Sequence, residues 1–135
     1  MALIVVHDGD PGWTKIMSIL LRKDRLLKKV LIDTTKIKDW GTFHSLFKEA
    51  FGFPEFYGMN NNAWIDCMSS LRAPEEGMTT IHVVPDETLL IEITGTKDFI
   101  SRCGEQFEGL VEITAFVNQR YIEHDEIAGI ALVFL

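Results

Sequence analysis

Cysteine is scarce in this chain, with only two in 135 residues. Cys67 and Cys103 are too few for a disulfide framework, and both are read as free thiols of a reducing, cytoplasmic setting. No apolar run approaches the roughly 20 residues that cross a bilayer. The apolar start at Met1 to Val6 lacks a charged lead-in and is interrupted at Asp8 to Pro11, which argues against a secretory leader. Basic charge is also short, with 13 Lys and Arg against 20 Asp and Glu and a net charge of −7. Phosphate backbones are held by clustered Lys and Arg, so direct binding of nucleic acid is not expected. A basic protein partner fits this balance, because complementary fields speed encounter.

The catalytic and cofactor patterns are missing too. No Cys–His spacing matches a zinc site. The glycines fall in neither a Walker nor a dinucleotide arrangement. The four histidines, at 7, 44, 82 and 124, form no triad, and a small hydrolase built on His44 or His82 would need two catalytic groups meeting in a pocket. His124-Asp125-Glu126 offers at most weak metal ligation. Asp8-Gly9-Asp10 is read as a turn, since the other ligands of a calcium loop are absent. The expectation is therefore a protein that is not an enzyme, with no catalytic residue, metal or cofactor.

What is present is an alternation of strands and helices in one domain, residues 1–135, long enough to bury a core. Ala2 to Val6 reads as a buried strand and Trp13 to Arg25 as a helix, capped by Asp10 with Pro11 at its first position. Val30 to Ile32 reads as a strand. Thr42 is expected to cap a helix from Phe43 to Phe51, with Phe43, Leu46, Phe47 and Ala50 inward. A second helix is expected from Asn60 to Leu71. Thr79 to Val84 and Thr88 to Thr94 read as strands joined at Pro85-Asp86-Glu87, a possible hairpin. Phe99 to Cys103 and Glu105 to Gln119 read as helices, and Ile130 to Leu135 as the last strand. Such an order favours a mostly parallel sheet with crossover helices. The continuous apolar runs at Val30 to Ile32, Leu89 to Ile91 and Ile130 to Leu135 suit strands buried on both faces.

The segment from Phe53 to Met68 carries the most specific signal. Ala63, Trp64, Cys67, Met68 and Leu71 share one helical face and are assigned to the core. Asn62, Ile65, Asp66 and Ser69 lie toward the other face. Phe56 and Tyr57 stand together on a loop before Gly58. Aromatic groups beside polar ones on an exposed loop and helix are the composition of a binding surface.

The same segment resembles the barstar family of ribonuclease inhibitors, small bacterial proteins that plug a nuclease active site. Lys28-Lys29 resembles the family's lead-in to its first strand, Thr42 to Glu49 its first helix, and Pro54-Glu55-Phe56-Tyr57-Gly58 with Trp64 to Cys67 its loop and second helix. Leu89 to Ile93, Glu108 to Gln119 and Ile130 to Leu135 resemble its later elements. Residues 1–27 are an N-terminal addition to the family core at 28–135, and an insertion lies near 72–87.

The resemblance implies an α/β fold with a three-stranded, mostly parallel sheet and packed helices, extended by an N-terminal strand and helix. It implies an immunity protein, or antitoxin, against a basic ribonuclease or other toxin. Asp66 takes the place of a substrate phosphate, framed by Phe56, Gly58, Asn60, Asn62 and Ile65, with Ser69, Ser70 and Asn118 at the rim. Departures from the family pattern cluster here. A carboxylate is replaced by Asn62, a tyrosine by Phe56, a tryptophan by Ile65, and a glutamate of the last helix by Asn118. The alternative these departures raise is a barstar-fold interaction or regulatory module that no longer inhibits a nuclease.

Overall fold

In the computed structural model, residues 4–7 are described as backbone and residues 28–135 in full. The expected helix at Trp13 to Arg25 lies outside the described residues. Four strands, β1 (Ile4–His7), β2 (Lys29–Ile32), β3 (Leu89–Ile93) and β4 (Ile130–Phe134), form one sheet in the order β1-β4-β3-β2, and every pairing is parallel. β2, β3 and β4 make the three-stranded core that the family resemblance implies, and β1 adds a fourth strand along β4. The helices are α1 (Trp40–Phe51), α2 (Asn61–Met68), α3 (Thr96–Arg102) and α4 (Gly104–Glu123).

The first two helices begin where local chemistry supplies a cap. Asp39, not Thr42, is the N-cap of α1. Its carboxylate accepts the Thr42 N–H at 2.8 Å, and the Thr42 hydroxyl accepts the Asp39 N–H at 3.0 Å. Thr42 is thus the far half of a capping box whose start lies three residues earlier. The helix stops at Gly52, whose left-handed φ of 63° suits a residue without a Cβ. α2 opens on Asn60, whose Oδ1 accepts the Ala63 N–H at 2.8 Å. It ends at Met68 rather than at Leu71, and Ser69 to Leu71 continue as a turn.

The core lies between the sheet and α1, α2 and α4. Ile32, Leu89, Ile91, Ile93, Ile130, Leu132 and Phe134 meet Phe43, Phe47, Phe51, Trp64, Met68 and Val117 there. Leu90, Ala131 and Val133 alternate to the opposite face and are buried as well, as expected for strands covered on both sides. β2 departs from that expectation. It is an edge strand, and Leu31 is 60% exposed.

The hairpin does not form. β3 is paired on one side by β2 and on the other by β4, so no edge is left for a neighbour at residues 79–84. That segment binds elsewhere. Thr80 N–H donates to the Phe51 carbonyl and Val83 N–H to the Leu71 carbonyl. Pro85-Asp86-Glu87 is a turn closed by Glu87 N–H on the Val84 carbonyl.

Candidate partner-binding surface

The loop before α2 turns its aromatic residues alternately in and out. Phe53 and Tyr57 are buried, with ring centroids 4.7 Å apart, while Phe56 between them is 77% exposed. The paired exposure expected of Phe56 and Tyr57 therefore holds for Phe56 alone. The Tyr57 hydroxyl lies 2.6 Å from His44 Nδ1, and burial pushes its pKa above the ordinary range. His44 is held below its usual value, chiefly by burial, with the Asn61 side chain opposing. These buried contacts fix the base from which Phe56 projects.

Met59 follows Gly58 with φ of 54°, in the left-handed region that side chains rarely adopt. Asn60 holds it there by reaching both ways, with Nδ2 on the Gly58 carbonyl at 3.2 Å and Oδ1 on the Ala63 N–H. Strain of this kind costs about 1–3 kcal/mol and collects where geometry must be kept. Met59 and Asn60 are exposed, and with Trp40, His44, Asn61 and Asn62 they line a groove of about 330 Å³ at the start of α2.

On α2 the inward face is as expected, with Trp64, Cys67 and Met68 buried and Leu71 beyond the helix end also buried. Cys67 is a free thiol whose pKa rises to about 11, through burial first and the neighbouring Asp66 charge second. It is a core group and not a nucleophile. The exposed strip is narrower than the sequence pattern indicates. Asn62 and Asp66, one turn apart, are exposed. Ile65 is not. It is 7% exposed and joins the core, on a helix that packs against α4.

Two of the expected rim contacts also fall inside. Ser70 is 6% exposed, and its hydroxyl donates to Glu76 Oε2 at 2.7 Å. Asn118 is fully buried. Its Nδ2 donates to the Ile130 carbonyl and its Oδ1 accepts the Ile130 N–H, both at 2.9 Å, so it fastens α4 to β4. A buried amide with both ends satisfied by the backbone of one residue is structural. Ser69 stays partly exposed and donates to the Ile65 carbonyl at 2.6 Å.

Sequence reasoning missed Arg120. Its Nη1 donates to Asp66 Oδ1 at 3.0 Å, across 54 residues of chain. Asp66 sits in the last turn of α2, where free carbonyls make a carboxylate unfavourable, and no basic residue of that turn offsets it. Arg120 supplies the missing cation from α4. The side chain of Asp66 nevertheless remains 60% exposed. Phe116, one turn before Arg120 on α4, is 58% exposed and was likewise unforeseen.

Beyond Asp66, a cleft of about 810 Å³ runs past Ser69, Arg72, Glu76, Arg120 and His124. Arg72 is fixed there, on Glu126 at 3.0 Å and over the Tyr121 ring at 4.7 Å. Among the described residues, no three His, Cys, Asp or Glu side chains are grouped to hold a metal ion. His124-Asp125-Glu126 follows the end of α4, with His124 Nδ1 2.9 Å from the Arg120 carbonyl. No helix of the described residues is long and apolar enough to cross a membrane.

The arrangement combines an outward aromatic ring, a strained turn, an amide-lined groove and one exposed carboxylate on a short helix. A search of curated proteins finds no match. The family model described as Barstar (barnase inhibitor) matches residues 27–133, which takes in every helix named above, β2, β3 and all but the last residue of β4. The chain belongs to the barstar (barnase inhibitor) family.

Proposed function

We propose that this protein is an inhibitor of the immunity type, which binds a basic ribonuclease or related toxin and occludes its active site. The observation that carries the reading is the Asp66 carboxylate, presented 60% exposed on a helix whose other faces are packed. A cleft that holds phosphate is rich in basic groups, and a preorganised carboxylate imitates its ligand without the cost of ordering. Phe56, Gly58, Asn60 and Asn62 frame the contact, and Ser69 lies at its edge. Ile65, Ser70 and Asn118 are buried and are left out of the proposed contact.

The test is titration calorimetry with catalytically inactive barnase, together with inhibition of the active enzyme. Asp66→Ala is expected to leave the fold unchanged and to weaken binding by about 1.5–3 kcal/mol, the range for a hydrogen bond to a charged group. An Asp66→Ala protein that binds as tightly as wild type refutes the role.

One observation favours a second reading, an interaction module without nuclease inhibition. Arg120 offsets the Asp66 charge, and Asn62 brings none. Recovery of only acidic or non-nuclease partners, together with no rescue of cells from a co-expressed nuclease, supports that reading over the first.

A further inference from the structure

Asp66 has a cation of its own. Besides meeting Asp66, Arg120 Nη1 lies 3.3 Å from Ser69 Oγ. That hydroxyl spends its proton on the Ile65 carbonyl, so toward Arg120 it acts as an acceptor. Arg120 is thus aimed at Asp66 by a second contact, and its side chain is 44% exposed to water. Other charges of the adjoining cleft are engaged elsewhere. Arg72 is 6% exposed and held by Glu126, and Glu76 accepts from Ser70.

We propose that Arg120 is a specificity-determining residue, an intramolecular competitor for Asp66 that sets how basic a pocket must be to capture the carboxylate. The inference rests on the inhibitory reading above. An exposed ion pair holds weakly. A strongly cationic pocket therefore exchanges its own groups for Arg120, whereas a weakly cationic one does not repay the loss of the pair. A partner with too few cations to replace Arg120 is thereby rejected, and such rejection is one route to specificity.

Stopped-flow association with catalytically inactive barnase tests this in the full chain, using R120Q, R120K and D66N. R120Q is expected to associate about tenfold faster than wild type at low ionic strength, with the gain shrinking as salt rises. R120K, which keeps the charge, is expected to follow wild type. In a D66N background the R120Q gain is expected to vanish, because there is no carboxylate left to compete for.

The role is overturned if D66N weakens binding but R120Q binds no better than wild type. It is also overturned if the R120Q gain persists undiminished in D66N, which would mean plain repulsion. If neither wild type nor R120Q binds, the inhibitory reading and this inference fall together.

Discussion

Asn118 and Asp66 lie on neighbouring helices and meet opposite fates. The amide of Asn118 finds both a donor and an acceptor on Ile130 and can be sealed in the interior. The carboxylate of Asp66 would need several donors to be buried, so it stays in water with one cation beside it. His44 shows the same logic with a testable pH dependence. Burial puts its folded-state pKa below the unfolded value of about 6.5. Between the two values the unfolded chain binds more protons, so the stabilisation is complete above about pH 6.5 and is lost as pH falls through that window. Melting temperatures of wild type are expected to drop more steeply between pH 7 and 5 than those of His44→Gln. Equal slopes would show that His44 titrates normally.

Helix α2 spans only eight residues, too short to persist alone. It depends on its cap, on the turn at Met59 and on α4. Asn60→Ala removes the acceptor for the Ala63 N–H and the brace on Gly58. The expected cost is about 1 kcal/mol in urea unfolding, with weaker partner binding as well, because Asn62 lies in the first turn. Unchanged binding in a destabilised Asn60→Ala protein would separate the cap from the surface. Close packing also shapes the longer α4. A Cβ on Gly109 would come within 2.4 Å of the Trp40 ring, so glycine is what lets Trp40 lie against that helix. The helices were legible because their apolar spacing is local, down to Trp64, Cys67 and Met68 facing inward. The hairpin and the Thr42 cap were misread for opposite reasons. β-Branched composition says nothing about whether a strand edge is already taken, and a good capping residue says nothing about whether a better one stands three places before it.

At the scale of the molecule, the four parallel strands place β4 between β1 and β3. β1 pairs with β4 from Ile4 with Ala131 to His7 with Phe134. Removal of residues 1–7 is therefore expected to bare an apolar strand edge and to promote self-association. Size-exclusion chromatography would show it, and a truncated protein that stays monomeric at high concentration would contradict it. The net charge of −7 acts over the same scale, by drawing a cationic partner toward the surface.

The order of elements, the parallel α/β class, the family and the outward position of Asp66 all follow from short-range features: hydrophobic period, turn residues and one compact motif. Which neighbours each residue would meet was decided only by the tertiary structure. It buried Ile65, tied Asn118 to β4, made β2 an edge strand and brought Arg120 to Asp66. Local spacing decides which way a side chain points along its own helix or strand, but the packing of distant segments decides whether water or protein waits there, and that packing has no signature in any one stretch of chain.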